Sequence, residues 1–288
     1  MMKPAQVVDR RIWHRNDLSF GGRSIPEETA VALTYNGGTY AVMMTTPQDL
    51  EDFAVGFSLS EGIIGSVAEL DSLEVLHQGD GVELRMWLSG PKADRLHERR
   101  RRIAGPTGCG LCGIESVAEA VRPAAIVGPG RQFSSDQIMT AMMNISSRQK
   151  LNIETRAVHA AAFWEISKGF VALREDVGRH NALDKLSGAL SRESIVTGQG
   201  IILLTSRVSV EMVQKSAAIG ATVMVSVSAP TALAVRVARA AGITLAAIAR
   251  VDGFEVFTHP DRILFGISDG LRTSRTFGDA GRGFARGT

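Results

Sequence analysis

The spacing of hydrophobic positions changes along this chain, and the change divides it. Residues 1–25 carry no sustained period and read as a polar, irregular and flexible tail. Apolar runs at 31–35 and 39–43 flank Asn36-Gly37-Gly38, the pattern of a β-hairpin. Thr46-Pro47 predicts a helix start, with Thr46 as N-cap and the proline in the first turn. Leu50, Phe53, Ala54 and Phe57 give that helix one apolar face, Asp49, Glu51 and Asp52 suit its positive end, and Gly62 ends it. Val82, Leu84, Met86 and Leu88 alternate with Glu83, Arg85 and Trp87, the period of a half-buried strand. Residues 26–103 therefore read as a small α+β domain.

A different rhythm follows. Ile114, Val117, Ala118 and Val121 predict a short helix, and Ser135-Asp136 opens another that carries Ile138, Met139, Met142 and Ile145 as core. Strands at 160–166 and 170–174 are joined by Ser167-Lys168-Gly169. Helices at 181–190, 208–219 and 231–241 then alternate with strands at 201–205, 223–227 and 243–249. Those last three strands are nearly all apolar, as expected of a sheet with helices on both faces. Residues 114–265 thus read as a second, α/β domain. Residues 269–288, rich in Gly and Arg, read as a flexible tail.

Composition adds exclusions. Among 288 residues, 44% are hydrophobic and 22% charged, ordinary values for a soluble globular chain. No apolar run reaches the ~18 residues of a membrane span, and the N-terminus lacks a secretory signal, so a cytoplasmic setting is expected. Net charge is only +2, and aromatics, at 6%, are not interleaved with a basic stripe, which speaks against nucleic acid. The run Arg99-Arg100-Arg101-Arg102 reads either as a solvated helix end or as a positive field beside the segment that follows.

That segment holds the chain's only two cysteines, in Cys109-Gly110-Leu111-Cys112. Four glycines and Pro106 lie within 105–113, so residues 104–113 are expected to form a mobile loop. In a reducing compartment the pair would be free thiols. A helix starting near Gly113 would aim its positive end at them and favour thiolate. A zinc ribbon lacks its second pair here, and no histidine begins the His-x-Glu element of a zinc deaminase. A thioredoxin-like motif would sit near an N-terminal βαβ unit. What fits is a thiol that accepts and hands on sulfur. Two alternatives stand beside it: a nucleotide-binding chaperone with incidental cysteines, and a zinc site shared between two chains.

In an open α/β sheet, ligands bind beyond the carboxyl ends of the strands. Four polar loops lie there: 175–181, 206–207, 228–231 and 250–253. Arg179, Arg207 and Arg250 are expected to converge on phosphate. Asp252 can accept from a guanine or ribose edge. Ser206, Ser228 and Thr231 stand in loops near helix N-termini, which bind anions. His159 and His180 are candidate acids, bases or orienting donors.

Several strings resemble the FdhD family, the formate dehydrogenase accessory sulfurtransferases. They are Met43-Met44-Thr45-Thr46-Pro47-Gln48-Asp49-Leu50-Glu51-Asp52-Phe53-Ala54-Val55-Gly56-Phe57, Ser60-Glu61-Gly62-Ile63-Ile64 and Gly108-Cys109-Gly110-Leu111-Cys112-Gly113. Further matches are Glu175-Asp176-Val177-Gly178-Arg179-His180-Asn181-Ala182-Leu183-Asp184-Lys185, Thr205-Ser206-Arg207-Val208-Ser209 and Ser228-Ala229-Pro230-Thr231-Ala232-Leu233-Ala234. The resemblance implies that a cysteine desulfurase loads sulfur on Cys109 as a persulfide, with Cys112 assisting. It implies delivery to the molybdenum cofactor in its bis-molybdopterin guanine dinucleotide form, bound as a client, for insertion into formate dehydrogenase. It assigns cofactor binding to Ile248-Ala249-Arg250-Val251-Asp252-Gly253, with no metal ion of the protein's own. It also implies a cytidine-deaminase-like larger domain and a homodimer. One departure stands out: the family's Thr-Gly-Gly-x-His run is here Thr155-Arg156-Ala157-Val158-His159.

Overall fold

The computed structural model describes residues 2–89 and 123–266. Cys109, Cys112, the run 99–102, the helix expected after residue 113 and the segment 269–288 lie outside the described residues.

The irregular N-terminal segment expected from sequence is instead a regular hairpin. Ala5–His14 (β1) and Asp17–Pro26 (β2) pair antiparallel through a turn at Arg15 and Asn16, both at positive φ. Its residues are mostly exposed on both faces. Neither face needs to be apolar, so no alternation marks it in the sequence.

Thr29–Tyr35 (β3) and Gly38–Thr45 (β4) form the expected hairpin, and Leu70–Gln78 (β5) and Gly81–Leu88 (β6) complete a sheet of order β4-β3-β6-β5. The helix Leu50–Ser60 (α1) covers one face of it. Leu50, Phe53, Ala54 and Phe57 pack there against Val31, Leu33, Val82 and Leu84. Its start differs from expectation. Asp49 is the cap residue, at φ 53 and without a side-chain cap bond. Thr46 serves a distant partner instead, accepting from Val177 N at 3.2 Å. Gly62 ends the helix at φ 68, its amide on Leu59 O at 3.0 Å.

The second sheet is built from His159–Glu165 (β8), Gly169–Asp176 (β9), Gly200–Leu204 (β10), Val223–Ser226 (β11), Thr244–Arg250 (β12) and Gly253–Thr258 (β13). Its order is β13-β12-β11-β10-β8-β9, with β10, β11 and β12 parallel at the centre. Phe133–Ser134 (β7) and Ile263–Leu264 (β14) pair separately. Ser135–Ile145 (α2) opens on a capping box between Ser134 and Gln137 and is followed by Lys150–Thr155 (α3). Arg179–Arg192 (α4), Val210–Ala218 (α5) and Ala232–Ala241 (α6) follow β9, β10 and β11.

Both faces of the central strands are covered, which explains their apolar runs. Ile202 and Leu204 pack with residues of α4, α5 and α6, whereas Ile201 and Leu203 pack with residues of α2. The fold is thus mixed α/β. α4 is buried from Asn181 through Leu190, because α1 closes over the side that the sheet leaves free. There Gly56 meets the backbone of Asp184, and Gly188 meets the backbone of Asp52.

Candidate functional site

Both β9 and β10 run antiparallel to β8, so they point the same way. The loops after β9, β10, β11 and β12 therefore leave one edge of the sheet. Three of them are tied together. Val227 N bonds Leu204 O at 3.0 Å, Thr231 N bonds Val208 O at 3.0 Å, and Ile248 N bonds Ser228 O at 3.4 Å. Ser226 Oγ donates to Ser206 O at 2.6 Å and accepts from Ser228 N at 3.1 Å. Ser206 is buried and donates to Arg207 O, while Thr231 caps α6 by accepting from Ala234 N. These side chains shape the loops.

The segment 248–253 carries a backbone anomaly. Ile248 sits at φ 54, where a β-branched side chain is strained by about 1–3 kcal/mol. It falls in an irregularity of the β12–β13 pairing between Ala247 and Arg250. Arg250 Nη1 donates to the carbonyls of Val227 and Ala249. Val251 is 80% exposed, and Asp252 is exposed beside it. The expected convergence of three arginines takes another form. Arg250 grips its own loops, Arg207 is exposed, and Arg179 lies at the start of α4.

Arg179 and His180 face the start of α5. His180 Nε2 lies 3.4 Å from Ser209 Oγ and 3.6 Å from Glu211 Oε2, and Ser209 Oγ donates to Glu211 at 2.6 Å. Burial, reinforced by Arg179 and Lys215 and opposed by Glu211, lowers the His180 pKa to about 4. At neutral pH it is an uncharged imidazole. Burial pushes the Glu211 carboxyl up, but Ser209, its own amide, His180 and Arg179 together bring it below the usual range. Burial and then Arg179 also lower His159, against the pull of Asp176. Arg179 Nε is buried and has no hydrogen-bond acceptor among the described residues.

Sequence reasoning missed what much of the 175–185 string does. Glu175 receives the amides of Leu151 and Asn152, each at 2.8 Å, and so caps α3. Asp176 accepts from Thr45, from the amides of Thr46 and Gly178, from Asn181 and from Lys185 Nζ at 2.6 Å. Lys185 also donates to Thr46 O at 2.8 Å. Burial lowers the Lys185 pKa, and Asp176 opposes that shift. Asp184 bonds Lys215 at 2.9 Å and Ser60 at 2.8 Å. Burial raises its pKa, against the pull of Lys215. Asp52 pairs with Arg174 and Arg192. The available signal was four charged residues falling in and beside an apolar helical period.

α4 and α5 are therefore joined by two rungs one turn apart: His180 with Ser209 and Glu211, then Asp184 with Lys215. Arg156 ends α3 in the left-handed region at φ 60, its amide on Asn152 O at 2.8 Å. That conformation favours glycine, and here an arginine adopts it.

Two open cavities lie at the opposite edge of the sheet. One, of about 520 Å³, is lined by Pro129, Gly130, Gln132, Asp261 and Arg262. The other, of about 300 Å³, includes Asn144, Arg148, Trp164, Lys168 and Phe170. Among the described residues, no group of three or more His, Cys, Asp and Glu is placed to hold a metal ion. No helix among them is long and apolar enough to cross a membrane.

Comparison with known proteins adds the lineage. The model of the FdhD/NarQ family matches residues 26–264. The sulfur carrier protein FdhD of Agrobacterium fabrum is 51% identical over 245 residues, covering 85% of this chain and 90% of that protein. The sulfur carrier protein FdhD of Cupriavidus necator is 48% identical over 252 residues, covering 87% of each. In fold, the chain matches the crystal structure of a protein from Desulfotalea psychrophila assigned as a formate dehydrogenase accessory protein. The TM-score is 0.72 at 24% identity, over 91% of this chain and 100% of that one. By the family match and by these relatives, this chain belongs to the FdhD/NarQ family.

Proposed function

We propose that this chain is a cytoplasmic sulfurtransferase that carries sulfur as a cysteine persulfide to the molybdenum cofactor destined for formate dehydrogenase. The observation that carries the reading is Cys109-Gly110-Leu111-Cys112, the only cysteines of a chain whose relatives are sulfur carriers. In the first step the Cys109 thiolate attacks the outer sulfur of a desulfurase persulfide. A new S–S bond forms on Cys109, and the desulfurase cysteine leaves as thiolate. In the second step the Cys112 thiolate attacks the inner sulfur of that persulfide. The outer sulfur departs as hydrosulfide to the cofactor, and the resulting Cys109–Cys112 disulfide is returned to two thiols by a dithiol reductant. The bis-molybdopterin guanine dinucleotide is the client. The polar loops at the carboxyl edge, with Arg179 and His180, are its proposed seat, and the working form is a homodimer.

The test is intact mass after incubation with a cysteine desulfurase and L-cysteine, followed by peptide mapping. The expected result is a gain of about 32 Da per sulfur, reversed by reduction, mapped to Cys109 and absent from Cys109→Ala. Cys109→Ala should also fail to activate formate dehydrogenase. Normal activation by that variant would replace the sulfur carrier with a nucleotide-binding chaperone.

A further inference from the structure

Within one chain the β1–β2 hairpin covers neither of its faces, but the two faces differ in what they expose. The register sets four pairs on one face: Val7 with Ser24, Asp9 with Gly22, Arg11 with Phe20, and Trp13 with Leu18. Its large apolar side chains lie open, Val7 at 75%, Phe20 at 71%, Trp13 at 68% and Leu18 at 52% exposure. Val7 leans over Gly22, where a Cβ would lie 2.9 Å from Val7 Cγ1, and the Arg11 guanidinium stacks over the Phe20 ring at 5.8 Å. On the other face Ile12 is half-buried, and Arg23 donates to Thr155 O at 3.3 Å, which ties the base of the hairpin to α3.

A two-stranded ribbon with nothing on its faces is marginal in water. The open apolar face amounts to about 500 Å², at the upper end of what a monomer leaves in one patch. The order of its residues suits a second copy of the same face. From base to tip β1 reads Val7, Asp9, Arg11, Trp13: apolar, acidic, basic, apolar. A two-fold axis lying across the strands, between the Asp9 and Arg11 rows, reverses that order and keeps β1 opposite β1. Asp9 then meets Arg11 of the second copy, twice over, and neither has a salt bridge of its own among the described residues. Val7 meets Trp13, and Phe20 meets Gly22, which offers no side chain. Two such faces would bury about 1,000 Å² of apolar surface, and their polar flanks would bring the contact near the ~1,600 Å² of a standard interface.

We infer that this face of the hairpin is a contact between two copies of the chain, packed as two ribbons with Asp9 of each against Arg11 of the other. The homodimer reading above supplies the second copy; the choice of face rests on the hairpin alone.

Sedimentation equilibrium of the full chain over a dilution series, with reductant present to exclude disulfides between copies, reads the dimer dissociation constant. Wild type should sediment as a dimer. Trp13→Ser and Phe20→Ser each remove an aromatic anchor from both copies and should raise the constant about a hundredfold or more. Val8→Ser, on the other face, should leave it unchanged. Asp9→Arg sets like charges opposite one another and should weaken the dimer roughly tenfold, and adding Arg11→Asp should recover most of that loss. A monomeric wild type overturns both this contact and the homodimer. A dimer that Trp13→Ser and Phe20→Ser leave at wild-type strength overturns the face and keeps the homodimer. An equal loss in Val8→Ser, or no recovery in the double variant, overturns the packing of the two ribbons.

Discussion

Replacing Gly56 with alanine tests the seam between α1 and α4 directly. A Cβ built there lies 1.7 Å from the Asp184 carbonyl oxygen and 2.8 Å from the Gly188 amide, whereas ordinary contact begins near 3.4 Å. Both obstacles are backbone, so no side chain can swing away. The helices must part by roughly 1.5 Å, and overpacking of that kind costs about 1–3 kcal/mol on its own. The same movement pulls on bonds between the two helices: the buried one from Ser60 to Asp184, and the one from Asp52 to Arg192, whose side chain is 45% exposed. Straining the buried Ser60 to Asp184 hydrogen bond raises the expected loss to about 2–4 kcal/mol. Gly188→Ala, whose Cβ would sit 1.9 Å from Asp52 O, should behave alike. Gly128→Ala, with nothing within 4 Å of its Cβ, is the control. Urea unfolding of the three variants measures this. A Gly56→Ala midpoint corresponding to less than about 1 kcal/mol of loss would refute the close approach of the two backbones.

Two further outcomes concern the buried charges. Asp176→Asn leaves the Lys185 ammonium buried without its carboxylate and should cost about 3–5 kcal/mol in urea unfolding. Lys185→Met should cost less, because Asp176 keeps the amides of Thr46 and Gly178; the reverse order would contradict the network. His180, with a folded pKa of about 4 against an ordinary 6.5, takes up its proton later than the unfolded chain does as pH falls. Its contribution is therefore full above about pH 6.5 and is lost on acidification toward pH 4. Tm measured across that window should fall less for His180→Asn than for wild type, and parallel curves would remove the imidazole from the account.

The elements legible in the sequence are those whose pattern is local. The hairpin at Asn36-Gly37 follows from its turn residues, and the α/β alternation from residue 160 onward follows from apolar periods and from Ser, Thr and Gly at the boundaries. What escaped depends on partners far along the chain. Thr46 looks like an N-cap, but its hydroxyl and amide are engaged by residues 176 and 177. The helix at 181–190 follows from its period, but Asn181, Asp184 and Lys185 are interior because Met44, Ser60 and Thr46 reach them. β1 and β2 bury neither face and leave no period to read. At the candidate site, the four loops at the carboxyl edge follow from strand order. That Arg250 is engaged within the loops does not, because that depends on where it reaches across to Val227.

The glycine seam also bears on the order in which the molecule is completed during synthesis. Gly56 and Gly188 are separated by more than a hundred residues of chain. At a synthesis rate of about 5–20 residues per second, roughly 7–26 s pass between their emergence from the ribosome. Until then α1 can cover its own sheet with Leu50, Phe53, Ala54 and Phe57, but its other side has no helix to meet. That waiting side carries Asp52 and Ser60, groups that water solvates well. The residues that later fasten the two halves together thus also keep the first half hydrated while its counterpart is still being made.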